Sequence, residues 1–317
     1  MSVIATEEIL KDLKKVGILA TRVTHFDHGS SRSTYKIEAG GNKLVLKLFD
    51  PAHHKSLQDE ITLLYEVTKY YDSVHPPLQK KPIPVARRLA CIYPFFDGHL
   101  FSKAKIKEKH FEFGKVVAEF DSALKHLPVN KNPTLSKNLL ALPSPKCTSA
   151  SLGRLTENAA RLFNKEIALT DLNLIRQQYI HKDLHFDNVL YRSTSKKHLI
   201  IDTGGISIQF LPREIAVPIG NELLDSSGNF SPHNVRELVR GYSVTTRLTD
   251  NERKLIPLFI IQKKLGEIEH LCKQVLLANR DTETTELMKK YLTLSRESLT
   301  YVVKEYGRLR AFFAELK

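Results

Sequence analysis

The chain has 317 residues, 42% of them hydrophobic and 26% charged, proportions that exclude wholesale disorder, a collagen-like repeat and a coiled-coil rod. Lys and Arg number 48 against 35 acids, a formal charge of +13, which favours anionic partners such as nucleotides, phosphorylated metabolites, nucleic acid or an acidic membrane face. Apolar stretches such as Leu258-Phe259-Ile260-Ile261 fall far short of the ~20 residues of a bilayer span, and Met1 to Leu10 lacks the basic-then-apolar pattern of a secretory leader, so a cytoplasmic protein with no membrane span is expected.

Residues Glu7 to Leu19 suit a short amphipathic helix. Two extended runs follow, Arg22–His28 and Thr34–Glu38, separated by a polar turn. A second turn, Ala39-Gly40-Gly41-Asn42, leads into Lys43–Phe49, where Leu44, Leu46 and Leu48 alternate with Lys43, Val45 and Lys47. Gly-rich turns between period-two runs predict antiparallel hairpins. A helix is expected over Ser56–Tyr71, with Leu57, Ile61 and Leu64 at helical spacing. The proline-rich stretch His75–Pro84 reads as a loop, and Leu89–Tyr93 as a buried strand.

After Gly98 the pattern becomes mainly helical. Phe113, Val116, Val117, Phe120 and Leu124 stripe a helix over Lys107–Leu127. Residues 128 to 153, rich in Pro, Ser, Asn and Lys, predict a long mobile loop of a length that marks functional inserts. Helix resumes near Arg154–Gln178, a β-rich island spans Tyr179–Phe210, and three helices are expected from about Pro232, Thr249 and Asp281. Cys91, Cys147 and Cys272 are odd in number and form no metal-binding pattern, which predicts reduced thiols.

The most informative stretch runs from His181 to Tyr191. It contains H-x-D-x-x-x-x-N as His181, Asp183 and Asn188, and Asp202 closes a short apolar strand further on. In phosphoryl transfer an Asp at the position of Asp183 orients the attacking hydroxyl and accepts its proton. An Asn five residues later and a second Asp hold magnesium against the phosphates of ATP. Magnesium keeps several waters, so two protein oxygens and the phosphates suffice. Asp183 and His181 are therefore the candidate catalytic residues, Asp183 as base and His181 as a brace of its loop, with Asn188 and Asp202 as metal ligands. Lys47 on the alternating strand is placed to reach the α- and β-phosphates, and a carboxylate on the next helix must aim it. Glu60 lies on the buried stripe between Leu57 and Leu64, and Glu66 falls away from it.

With these residues in order, the chain resembles the superfamily of aminoglycoside phosphotransferases, choline kinases and homoserine kinases, the small-molecule branch of the protein-kinase-like fold. The resemblance covers nearly the whole length. Leu89–Gly98 resembles the hinge strand, Phe113–Phe120 the following helix, and Val239-Arg240-Gly241-Tyr242 through Leu248-Thr249-Asp250-Asn251-Glu252 the C-terminal helices of homoserine and hydroxylysine kinases. It implies an α+β, two-lobed fold. Residues 1–96 would form an ATP-binding lobe, a small antiparallel sheet with one helix. Residues 97–317 would form a larger helical lobe with the catalytic loop and acceptor site. It further implies Ser30 and Ser31 covering the phosphates, Tyr93 and Phe95 at the adenine, and Glu214 bracing the catalytic loop. The cofactors would be ATP and Mg2+, and the partner a small hydroxylated acceptor.

The chain departs from the family in three places. Lys182 stands where the family has Gly, the metal motif is Asp202-Thr203-Gly204 with no aromatic, and the phosphate-covering turn Gly29–Ser33 has one glycine. None of these removes a group the chemistry requires. Two other readings stay open: a protein kinase, against which stands the lack of an Ala-Pro-Glu motif and of room for an activation loop, and a non-catalytic nucleotide or nucleic-acid binder, against which stands the lack of a basic and aromatic stripe. The acceptor is open among amino alcohols, sugars, aminoglycoside-like compounds and anionic hydroxyl compounds; the basic charge stands against a polycationic aminoglycoside, for which Glu222 and Asp225 are the local acids. Analogy places its contacts in the 128–153 loop and the helices after Leu211.

Overall fold

A computed structural model describes residues 6–26, 34–128, 139–143, 149–225, 227–277 and 282–316. The chain divides into two compact units, Met1–Ala104 with Asp187–Gly204, and Lys105–Phe186 with Gly205–Lys317. The segment 187–204 thus groups with the first unit, where the sequence reading divided the chain once, after residue 96.

The first unit contains α1 (Thr6–Lys15), β1 (Ala20–His25), β2 (Thr34–Ala39), β3 (Asn42–Phe49), α2 (His54–Val67), β4 (Ile83–Val85) and β5 (Arg88–Pro94). The strands form one antiparallel sheet in the order β1-β2-β3-β5-β4. Gly40 and Gly41 both take positive φ, 55° and 77°, the geometry of a two-residue hairpin turn, and this sets the register Thr34↔Lys47 through Ala39↔Asn42. Alternation then sorts β3. Leu46 and Leu48 are buried with Ile9 and Leu13 of α1 on one face. Phe49 shares the other face with Cys91 and with Leu57 and Ile61 of α2, and Lys47, two residues before Phe49, belongs to that side. Strand β4 falls inside the stretch expected to be a loop. It is an edge strand of three residues, where Pro84 is tolerated because no central ladder bond is lost. A second sheet, β6 (His99–Leu100), β8 (Val189–Arg192) and β9 (Lys197–Ile200), completes the unit.

The second unit holds α3 (Lys109–Leu124), α4 (Ala150–Ala168), β7 (Gln177–Ile180) paired with β10 (Ser207–Phe210), α5 (Pro212–Glu222), α6 (Pro232–Ser243), α7 (Asp250–Leu277), α8 (Thr282–Lys304) and α9 (Tyr306–Glu315). Helices α3 and α6 pack with backbones touching: a Cβ on Gly114 would lie 2.2 Å from the Leu238 carbonyl oxygen, and one on Gly241 2.0 Å from that of Phe111. Only glycine allows this approach. The Tyr242 hydroxyl donates to buried Asp121 across the same contact.

Helix α7 opens on a capping box, since the Glu252 N–H donates to Thr249 Oγ1 and the Thr249 N–H to Glu252 Oε2. Glu252 is fully buried and takes the Arg176 guanidinium at 2.6 Å. Among the described residues five helices follow Phe210 where three were expected. The break after Lys304 divides one of them. Helix α5 was missed because nearly all its residues are buried, so it shows no polar face, and Pro212 and Pro218 read as breakers. Of the expected 128–153 loop, residues 129–138 and 144–148 lie outside the described residues. Leu139 is buried, and Gln262 Nε2 of α7 donates to the carbonyls of Leu139 and Ala141.

Candidate active site

Local register places the first group of side chains. In the β8–β9 hairpin Val189 faces Ile200, and the Ile201 N–H donates to the Asn188 carbonyl at 2.9 Å. Asn188 and Asp202 are therefore brought to the same end of one hairpin, although thirteen residues of sequence lie between them. Asn188 is buried, whereas the Asp202 side chain is 67% exposed. Asp202 adopts φ of +61°, a left-handed conformation that costs a residue with a Cβ on the order of 1–2 kcal/mol.

Lys47 of β3 reaches this hairpin end, with Nζ 3.6 Å from Asp202 Oδ1. Glu60 of α2 arrives from the other side. Thr203 Oγ1 donates to Glu60 Oε1 at 3.3 Å, and a Cβ on Gly204 would stand 3.1 Å from Glu60 Oε2. Burial raises the Glu60 carboxyl above its ordinary value, opposed by the charge of Lys47 and the Thr203 hydroxyl. Glu66, by contrast, is exposed and pairs with Lys69. The absence of an aromatic after Asp202 thus has a local explanation, because the threonine in its place holds Glu60.

Tyr93 packs against the Leu57, Ile61 and Cys91 cluster. Burial pushes its phenol up, and it pushes the Cys91 thiol up to about 12. Phe95 carries the Lys36 ammonium 5.6 Å above its ring. Ser30 and Ser31 lie outside the described residues.

The second unit supplies a separate group. His181 is fully buried at the end of β7, with Phe120 6.2 Å from its ring centre. Lys182 adopts φ of +70°, the conformation for which glycine is the unstrained choice, which accounts for the glycine that the resembling family carries there. The Lys182 N–H donates to Glu214 Oε2 at 2.9 Å. Glu214 is fully buried in the first turn of α5, and burial pushes its carboxyl up to about 7 against backbone hydrogen bonds from Lys182 and His181. Asp183 is 45% exposed at its side chain and meets Lys263 of α7, with Nζ 2.5 Å from Oδ1.

Lys263 is the residue that sequence reading missed. Burial works against its charge, but Glu267 and Asp183 outweigh it and hold the ammonium above its ordinary value. A signal was present: Gln262-Lys263-Lys264 interrupts an apolar run in which Leu258 to Ile261 and Leu265 are all buried.

The donor set at the hairpin end, one carboxylate and one amide oxygen, suits a hard cation that shares phosphate oxygens. Among the described residues no group of three or more His, Cys, Asp or Glu could hold a metal ion. No described helix is long and apolar enough to cross a membrane.

Residues 22–209 match the model of a family described as the phosphotransferase enzyme family. No curated protein matches the chain. Among solved structures, a spectinomycin phosphotransferase in complex with ADP and spectinomycin has a TM-score of 0.66 at 16% identity, with 96% of this chain and 100% of that one covered. A microcompartment-associated aminopropanol kinase has 0.64 at 14%, with 94% of each chain covered. Choline kinase from Streptococcus pneumoniae has 0.62 at 11%, with 93% of this chain and 98% of that one. These likenesses establish the protein-kinase-like fold.

Proposed function

Because the chain belongs to the phosphotransferase enzyme family, we propose that it transfers the γ-phosphate of ATP to a hydroxyl of a small molecule, with Asp183 as the base. The solved relatives support the nucleotide and the size of the acceptor: one is in complex with ADP and spectinomycin, and another is an aminopropanol kinase. The observation that carries the reading is the joining of Lys47 to Asp202 and of Glu60 to Thr203. It gathers a cation for phosphates and an acid that steadies it around the exposed Asp202 carboxylate.

In this reading residues 1–96 serve as the ATP-binding lobe and residues 97–317 carry the catalytic loop. Lys47, held in a central strand, takes the α- and β-phosphate charge, and Glu60 keeps its ammonium from wandering. Asn188 and Asp202 would hold Mg2+, which when bound neutralises the charge of the β- and γ-phosphates. Ser30 and Ser31 would cover those phosphates with amides and hydroxyls, and the backbone at Tyr93 and Phe95 would meet the adenine. Asp183 accepts the proton of the acceptor hydroxyl as the oxygen–phosphorus bond forms, and ADP leaves with the electron pair of the bond that breaks. Glu214 ties down the backbone on one side of the base, and Lys263 holds its carboxylate on the other.

Asp183→Asn preserves shape but cannot accept a proton. Single-turnover phosphorylation should fall about 10²- to 10⁴-fold, roughly 3 to 5 kcal/mol of barrier, with ATP affinity little changed. Near-normal transfer would remove Asp183 as the base, and loss of ATP binding would make its role structural.

A further inference from the structure

We propose that the acceptor is an anionic hydroxyl compound, a hydroxycarboxylate or a hydroxyl-bearing phosphate ester, whose anionic group binds Lys263 while its hydroxyl meets Asp183. This rests on the phosphotransferase reading and assigns its substrate class.

The charge around the base carries the argument. Within the second unit the groups near Asp183 are Lys182, Arg213, Glu214, Lys263, Lys264 and Glu267. Glu267 is shared: Lys264 Nζ lies 2.8 Å and Lys263 Nζ 3.6 Å from its carboxylate, with Lys264 satisfied further by Asn221 and Glu267 by Ser295. Glu214 is pushed up to about 7 by burial, so near neutral pH it is only partly charged. That sets Lys182, Arg213, Lys263 and Lys264, the first two held below their ordinary values by burial, against Asp183, Glu267 and a fraction of Glu214. The balance is positive, in a chain whose overall charge is +13.

A cationic acceptor would have to compete with Lys263 for the Asp183 carboxylate in a surrounding of positive balance, and like charges in a partly buried site are costly. An anionic acceptor needs no such exchange. The ammonium of Lys263 has three N–H donors. It can keep Asp183 at 2.5 Å and Glu267 at 3.6 Å and still offer its third donor to a carboxylate or phosphate. Lys263 is 18% exposed at its side chain, so such a group can reach it. The neighbouring Gln262 donates to the carbonyls of Leu139 and Ala141, which ties those residues of the expected acceptor loop to α7 one residue before Lys263.

The transfer itself balances without another reactant. The acceptor oxygen bonds to the γ-phosphorus, its proton passes to Asp183, and the bond between the γ-phosphorus and the bridging oxygen breaks to release ADP. Lys263 takes no part in bond making.

The test uses the full chain with Mg-ATP and matched acceptors. The first set is glycerate, glycerol 3-phosphate, glycerol and 3-amino-1,2-propanediol. The second is glucuronate, glucose 6-phosphate, glucose and glucosamine. ADP release is verified by detection of the phosphorylated product. In the wild type, kcat/KM for an anionic member should exceed that of its neutral partner at least tenfold, with the amine last. The carboxylate and phosphate members separate the two anion chemistries. Lys263→Met should abolish the preference, mainly through KM, and Lys263→Glu should invert it. Should the glutamate variant fold poorly, the methionine variant alone decides. Equal or better use of neutral or amino members by the wild type overturns the proposal, as does an order that Lys263→Met leaves unchanged. If no acceptor is used while magnesium-dependent ATP hydrolysis persists, the acceptor class is wrong. If ATP is neither bound nor hydrolysed, the phosphotransferase reading itself fails.

Discussion

Replacing Glu214 by Gln tests the contribution of a buried acid beneath the loop that carries Asp183. Burial pushes the Glu214 carboxyl from its ordinary 4.5 up to about 7 in the folded chain. An acid raised in this way binds its proton more tightly when folded. Its stabilisation is therefore complete below about pH 4.5 and is lost as pH rises to about 7. The gap between the two values corresponds to on the order of 3 kcal/mol. Gln carries an oxygen that can still accept the Lys182 N–H, now at 2.9 Å, and carries no proton to lose. The assay is urea unfolding of both proteins at half-unit steps from pH 4.5 to 8. The wild type should lose about 2–3 kcal/mol relative to Glu214→Gln over that range. Asp121 is raised by burial and by the charge of Glu214, so the difference between the two proteins reports both acids together. Parallel stability curves, within about 0.5 kcal/mol at every pH, would refute the idea that folding confines Glu214 in a medium hostile to its charge.

ATP should raise the melting temperature much more with magnesium than with EDTA, by the equivalent of about 2.7 kcal/mol at a hundredfold excess over Kd. Asp202→Ala should erase the magnesium-dependent part, and identical shifts with and without metal in both proteins would dismiss Asn188 and Asp202 as ligands. Lys47→Ala and Glu60→Ala should weaken ATP use to a similar degree, and the double variant should fall well short of their sum because the two act as one unit. Glu66→Ala, at an exposed position paired only along its own helix, should be nearly silent in the same ATP-binding titration; a loss equal to that of Glu60→Ala would show the wrong helix face was chosen.

Patterns of period two and 3.6 report which side of an element is buried, and the sequence alone determined a good deal by that route. The Gly40-Gly41 turn and the alternation through Leu46 and Leu48 put Lys47 on the face opposite the α1 core. The Leu57, Ile61 and Leu64 stripe separated Glu60 from Glu66. The spacing of His181, Asp183, Asn188 and Asp202 carried the family resemblance, because a loop and a short hairpin encode their own geometry. What periodicity does not report is the partner. Helix α5 went unread because burial on nearly every side leaves no polar face. The close approach of α3 and α6 at Gly114 and Gly241 exists only once both backbones are in place. Lys263 and Asp183 are eighty residues apart, and nothing local to either names the other. Their pairing follows from where packing lays a long helix against the catalytic loop. Tertiary structure alone decided that contact, and with it the charge beside Asp183.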